Sequence, residues 1–91
     1  MARTFDGTAT TSPATLSFTG NEVIEVCVEN TGSERLRVNI PPVNGADYGY
    51  IPAGKAEYYS VPHEGMFIDE VLVKTDSGTT DYTVEVTRGR S

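Results

Sequence analysis

Few residues of this chain could perform acid–base or nucleophilic chemistry. The sequence contains one histidine, His63, and one cysteine, Cys27. Cys27 stands between Val26 and Val28 in a strand-like segment, where a cysteine usually packs as a small, inert apolar side chain. His63 follows Pro62 in a predicted loop, and no nucleophile or second ligand stands at a spacing that would make it a general base. We therefore predict that the protein is not an enzyme and has no catalytic residues.

Carboxylates are close together between Glu64 and Glu70, where their oxygens could bind calcium. Asp69 and Glu70 are adjacent, however, and adjacent residues of a strand point to opposite faces of a sheet. The spacing also lacks the pattern of a calcium-binding loop, and no Cys/His cluster is present to hold zinc. We predict no metal site and no cofactor.

Tyrosines form the other chemically distinctive group. Tyr48, Tyr50, Tyr58 and Tyr59 fall within twelve positions. A tyrosine combines a large apolar ring with a polar tip, which suits a subunit interface and also suits stacking on a sugar. Closing the edge of a core is a third role, and the sequence leaves all three open. Our predicted interface residues are Phe5, Tyr48, Tyr50 and Tyr58.

Length and charge limit the remaining functions. Ninety-one residues allow one domain, and a net charge of −6 argues against a nucleic-acid-binding surface. No apolar run is long enough to span a membrane, and no signal peptide is visible. A single cysteine suits a reducing compartment, so we expect synthesis in a cytoplasm. The acidic body and the basic end at Arg88 and Arg90 could favour head-to-tail contacts between copies.

Alternating apolar and polar residues predict the elements that would hold these side chains. The alternation is clearest in residues 67–87, which we interpret as two strands joined by a turn at Asp76–Gly78 into a hairpin. Residues 22–30 and 34–40 are predicted to form a second hairpin, in which Arg35 and Arg37 would face Glu25 and Glu29. About seven strands at this spacing predict an all-β antiparallel sandwich, jelly-roll or immunoglobulin-like. Residues 41–50 are the predicted crossover between its sheets.

The N-terminal residues have a different composition. Residues 1–13 are rich in Thr, Ala, Ser and Gly, with Phe5 as the large apolar residue. We predict a flexible arm over 1–13 and a sandwich domain over 14–91. The arm is either disordered or ordered on a neighbouring molecule through Phe5.

The second half of the chain contains a series of turn and strand motifs: Ile51–Gly54 in a turn that leads into a strand, Val71–Lys74 in a strand, Ser77–Thr79 in a turn, and Val84. In these residues it resembles small bacteriophage virion proteins of the capsid decoration, cement or head-completion type. The resemblance covers about 40 residues, and its motifs are those of turns and strands. It implies a β-sandwich body without catalysis, located in the virion, which binds copies of itself as a homo-oligomer such as a trimer and binds a major capsid or other virion protein.

We therefore expect a structural virion protein that decorates or cements a capsid. The alternative is a β-sandwich module that binds a glycan or a protein through the same tyrosines. Neither reading involves nucleic acid or a membrane.

Overall fold

The computed structural model describes residues 2–18, 22–45, 47–63 and 65–89, and these residues form two four-stranded antiparallel sheets. In chain order the elements are β1 (Ala2–Ala9), β2 (Ala14–Ser17), β3 (Val23–Asn30), β4 (Leu36–Asn39), α1 (Pro41–Asn44), β5 (Gly49–Ile51), β6 (Ala56–Ser60), β7 (Glu70–Thr75) and β8 (Thr80–Arg88). The front sheet has the order β1-β8-β3-β6, and the back sheet has the order β2-β7-β4-β5. No helix in the described part of the chain has the length and apolar character needed to cross a membrane.

The strand order is that of a jelly roll. Successive strands alternate between the two sheets, with β4 and β5 as the one consecutive pair that shares a sheet. Two such four-stranded sheets packed face to face make the eight-stranded double Greek key of the jelly-roll architecture. The predicted all-β sandwich is thus confirmed, with eight strands where about seven were predicted.

The core lies between the two sheets and is built by the alternation seen in the sequence. In β7 and β8 every second residue points inward and is buried, because a strand presents successive side chains to opposite faces. The front sheet contributes Val26, Val28, Tyr82, Val84 and Val86, and the back sheet contributes Leu36, Val38, Ile51, Val71 and Val73. Residues between strands, Phe18, Ile40 and Ile68, complete the core.

The two predicted hairpins are wrong. β3 and β4 lie in opposite sheets, so Arg35 and Arg37 do not face Glu25 and Glu29. β7 and β8 likewise lie in opposite sheets, and the Asp76–Gly78 turn carries the chain from the back sheet to the front sheet. Each strand pairs instead with strands distant in sequence: β3 pairs with β6 and β8, and β4 pairs with β5 and β7.

The predicted crossover at residues 41–50 is also wrong. This segment contains the short helix α1 and returns the chain to the same sheet, since β4 and β5 are paired antiparallel. Asn39 holds the loop in place by donating its side-chain amide to the carbonyls of Gly45 and Asp47, at 3.0 and 2.5 Å. Both acceptors belong to the connection, so one buried side chain fixes its path.

The N-terminal segment is part of the sandwich. Residues 2–9 form β1, which pairs with β8 in antiparallel register from Ala2 opposite Thr87 to Ala9 opposite Thr80. The prediction of a flexible arm outside the domain is therefore wrong for these residues, which find their hydrogen-bond partners on their own chain. The sandwich begins at β1 and not at residue 14.

Candidate interaction surfaces

Positive charge and aromatic rings meet on the outer face of the back sheet. Tyr50 of β5 lies opposite Arg37 of β4, and Arg37 lies opposite Lys74 of β7, so the three side chains form one row across three strands. Residues opposite each other in an antiparallel pair project to the same face. We call this surface, with the flanking Arg35 and Tyr48, the cation–tyrosine patch.

Cation–π contacts connect the members of the patch. The guanidinium of Arg37 lies 4.6 Å from the ring centre of Tyr50 and 5.7 Å from that of Tyr48. Arg35 lies 5.0 Å from the Tyr50 ring, and the Lys74 ammonium lies 5.2 Å from the Tyr48 ring. Each contact of this kind contributes about 0.5–1 kcal/mol at an exposed site. The contacts limit the rotamers of these long side chains.

One member of the patch also bonds to a carboxylate. Arg37 donates to Asp76, with Nη1 and Oδ1 3.0 Å apart, and the Asp76 side chain is 47% exposed. Asp76 is therefore both a turn residue and the ion-pair partner of Arg37 on β4. The buried Nε of Arg37 has no hydrogen-bond partner among the described residues. Arg37 is therefore fixed by its neighbours, and Asp76 offsets its charge.

The outer face of the front sheet has the opposite charge. Its outward positions carry five carboxylates: Asp6, Glu25, Glu29, Asp81 and Glu85. No lysine or arginine stands at an outward position of its four described strands, although Lys55 and Arg88 lie at strand ends. We call this surface the acidic face.

Hydroxyl groups organise part of the acidic face. Thr8 donates to Asp81 at 2.7 Å, and Thr83 donates to Asp6 at 2.9 Å. Ser60 donates to Glu25 at 3.2 Å. Hydroxyl donors hold carboxylates in place without cancelling their charge, so the face stays negative.

Tyr58 stands at the edge of the acidic face and is 72% exposed. It lies opposite Cys27 across β6 and β3. A side-chain hydrogen bond with Cys27 and the charge of that thiol group in its ionised form raise the pKa of Tyr58, and Glu85 and Glu25 add to the effect. The ring of Tyr58 itself lies on the protein surface.

The predicted interface residues are separated by the fold. Tyr48 and Tyr50 belong to the cation–tyrosine patch on the back sheet, whereas Tyr58 lies on the front sheet. Phe5 is half-buried and packs against Phe18, with ring centres 5.2 Å apart. Phe5 thus closes its own core, and its prediction as an interface residue finds no exposed ring to support it.

Three residues of the patch were not selected from the sequence: Arg35, Arg37 and Lys74. Alternation alone shows that Arg35 and Arg37 point outward. Their contact with the tyrosines depends on the pairing of β4 with β5 and β7. The incorrect hairpin prediction paired β4 with β3 instead. The available signal was the recurrence of outward cations on two strands in a chain that is acidic as a whole.

A groove opens at one end of the sandwich and holds the histidine. Its volume is about 710 Å³, and its walls include Ile24, His63, Met66 and Phe67. His63 is exposed there beside apolar side chains, and Ser60 and Glu25 also line the groove. Glu64 of the carboxylate group considered above lies outside the described residues. Within the described ranges, no three His, Cys, Asp or Glu side chains come together as a metal ion would require.

Comparison with known proteins supports the fold and shows no function. No family model and no curated protein matches this sequence. Solved structures do match. PirA superposes with a TM-score of 0.63 at 15% identity, covering 92% of this chain and 93% of that one.

Two other solved structures match over nearly the whole chain. An HTH_3 family transcriptional regulator from Vibrio cholerae has a TM-score of 0.67 at 13% identity, covering 98% of this chain and 44% of the regulator. A protein of Bacillus endospore appendages, described as disulfide-linked pili, has a TM-score of 0.56 at 16% identity, covering 98% of this chain and 87% of that one. At these identities the likeness shows a shared fold, and one fold serves many functions.

Proposed function

We propose that this chain is a structural protein of a bacteriophage virion. In this role it decorates or cements the capsid through non-covalent contacts with copies of itself and with a major capsid or other virion protein. It is made in the host cytoplasm, joins the particle, and catalyses no reaction.

The cation–tyrosine patch is the observation that carries this proposal. Tyrosine and arginine are enriched at protein–protein interfaces, where large rings and planar guanidinium groups contribute most of the binding energy. Here Tyr50, 47% exposed, lies in a row with Arg37 and Lys74 on a rigid sheet. A flat, preformed surface of this composition suits a protein partner better than a small substrate, which binds in a concave site.

Two further observations support the assembly role. The sequence of residues 51–84 resembles small virion proteins, and jelly rolls are the architecture of many viral capsid domains. A pilus subunit of Bacillus shares the fold, and a pilus is an assembly of repeated subunits. The jelly-roll architecture and the pilus subunit are analogies of fold, so the surface chemistry remains the main support.

The test is the composition of purified particles. Phage particles from the source culture would be banded in a density gradient and their proteins quantified by mass spectrometry. We expect peptides of this chain in the particle band, at a fixed ratio to the major capsid protein. Their presence in the lysate and absence from the band would contradict a virion role.

The alternative function is a glycan- or protein-binding module, and the exposure of Tyr50 and Tyr58 favours it. Exposed rings on a sheet face can stack on sugars, and lectins also use the jelly roll. Saturable binding on a glycan array that is lost in Tyr50→Ala and kept in Tyr59→Phe would support this alternative. Tyr59 is a suitable control because its ring packs against the core.

A further inference from the structure

The two sheets of the sandwich expose outer faces of opposite charge. The front sheet presents the acidic face with its five carboxylates, and the back sheet presents the cation–tyrosine patch. The faces lie on opposite sides of the molecule because the sheets pack with their inner faces together. A single chain therefore carries both halves of a complementary pair.

We propose that the acidic face of one copy binds the cation–tyrosine patch of the next copy. This inference rests on the proposed structural function and specifies the partner of that surface. Complementary potentials steer association and fix orientation. The rings of Tyr48 and Tyr50 would supply apolar area next to Arg35 and Lys74, while the carboxylates of Glu29 and Glu85 would face those cations.

Charge disfavours the symmetric alternatives. Two acidic faces in contact would bring the carboxylates of Asp6, Glu29 and Glu85 near those of the second copy. Two patches in contact would bring Arg35 and Lys74 near the cations of the second copy. Like charges held together at an interface cost several kcal/mol. The head-to-tail arrangement is the one in which opposite charges meet.

A contact of standard size would use most of each face. The two longest dimensions of the chain, 36 and 25 Å, limit a face to at most about 900 Å², and a standard interface buries ~800 Å² per partner. The back face also carries two carboxylates: Glu70, four positions from Lys74 on β7, and Asp76, which pairs with Arg37. Glu70 would restrict the register to one in which the carboxylates lie over the Arg35–Lys74 end.

Repetition of this contact gives a stack and not a closed ring. A head-to-tail interface closes into a ring when successive copies are rotated, and it extends when the two surfaces face opposite directions. The outer faces of a two-layer sandwich face opposite directions. The expected product is an open stack, in contrast to the trimer that the resemblance implies.

Each variant in the test disrupts one of the two faces and leaves the other intact. Glu85→Lys reverses a charge at the middle of the acidic face, and Glu29→Lys is a second variant of the same kind. Tyr50→Ala combined with Lys74→Ala truncates the patch without adding a complementary charge. Glu57→Lys is the matched control: it makes the same charge change on β6, opposite the inward-facing Val28 and so away from the outer face.

Sedimentation velocity distinguishes the outcomes. We expect the wild type and Glu57→Lys to associate, and each face variant alone to sediment as a monomer with an unchanged circular dichroism spectrum. An equimolar mixture of Glu85→Lys with the Tyr50/Lys74 variant should form a 1:1 complex that grows no further, because each partner retains one intact face. Only a head-to-tail interface predicts this result.

Two other results would overturn the inference. If the wild type associates and the face variants still associate to the same extent, copies bind through other surfaces, and the proposed structural function survives. If the wild type is a monomer up to about 1 mM, where binding would be weaker than roughly −4 kcal/mol, the stack does not form. The particle-composition test decides the structural function separately in both cases.

Discussion

At the scale of single residues, Asn30 connects the two sheets at one corner of the sandwich. Its buried side-chain amide donates to the carbonyls of Glu34 and Ile51, at 2.7 and 2.9 Å. Its side-chain oxygen accepts from the hydroxyl of Thr80 at 2.7 Å and from the amide of Gly32 at 3.2 Å. The sequence predicted an ordinary hairpin turn here, whereas all four bonds serve a passage between sheets.

We expect Asn30→Ala to lower the free energy of unfolding by about 2–4 kcal/mol, because each buried partner left without a hydrogen bond costs about 1–3 kcal/mol. Urea denaturation measures the change. Thr31→Ala, at the exposed neighbouring position, is the control and should change the free energy by less than about 0.5 kcal/mol. Equal effects of the two substitutions would show that the amide is not the connecting group.

Two tyrosines that are at least partly buried make stability depend on pH, whereas the raised pKa of the exposed Tyr58 adds little because solvent screens that group. Burial raises the pKa of Tyr82 and of Tyr59 above 10.0, and Glu57 raises that of Tyr59 further. At alkaline pH the folded chain therefore holds these protons more tightly than the unfolded chain does. The stabilisation is complete below pH 10.0 and decreases as the pH rises through the folded-state pKa values.

We expect urea denaturation to give a free energy of unfolding that decreases with pH above about 10. Tyr82→Phe removes one of the two groups and should reduce the slope. An equal slope in the variant and the wild type would exclude Tyr82 as a source of the effect.

At the scale of elements, β1 shows that residues 2–9 belong to the sandwich and do not form a separate arm. From residue 5 onward its inward positions are Phe5, Gly7 and Ala9, so two of these three are small. Gly7 is required by its neighbour: a Cβ there would lie 2.5 Å from the hydroxyl of Tyr82 and 2.7 Å from its ring. Tyr82 of β8 is the large side chain at this level of the core. The small residues on β1 that leave room for it give residues 2–9 a composition like that of a flexible arm.

Phe5→Ala should destabilise the isolated chain by about 2 kcal/mol, less than the 3–5 kcal/mol of a fully buried Phe because the ring is half-buried. Thermal denaturation at low concentration measures the effect on a monomer. Thr4→Ala, on the exposed side of the same strand, is the control. If Phe5→Ala leaves the monomer unchanged and weakens only association, then Phe5 acts at an interface, as the sequence first suggested.

Alternation predicted the strands and their buried faces but not their partners. Val84 and Val86 could be assigned to a core from the sequence, since period-two patterning depends on the strand alone. Pairing depends on residues far away in the chain: β8 binds β1 and β3, and the adjacent β7 lies in the other sheet. The assumption that neighbours in sequence form hairpins fails in a jelly roll, where most connections cross between sheets.

The candidate surfaces show the same limit. Tyr48 and Tyr50 were selected because their chemistry is visible in their residue type. Arg37 and Lys74 could be selected only after β4 was placed between β5 and β7. The separation of charge between the two outer faces depends on which sheet each strand joins. No local sequence pattern determines that.

At the scale of the whole molecule, the chain combines a net charge of −6 with a local cationic patch on one face. Charge separated in this way favours oriented association over general repulsion at moderate salt. It also makes association sensitive to ionic strength, since exposed charges are screened beyond about 3 Å at 1 M salt and about 10 Å at 0.1 M.

Sedimentation velocity of the wild-type chain, over a concentration series at about 0.05 M and about 0.5 M salt, tests the account most directly. We predict a mass that rises above the 9.8 kDa of one chain with increasing concentration at low salt and returns toward it at high salt. A mass of one chain at every concentration and salt would contradict self-assembly through charged faces. Association that strengthens with salt would contradict it equally, because it would indicate an apolar interface.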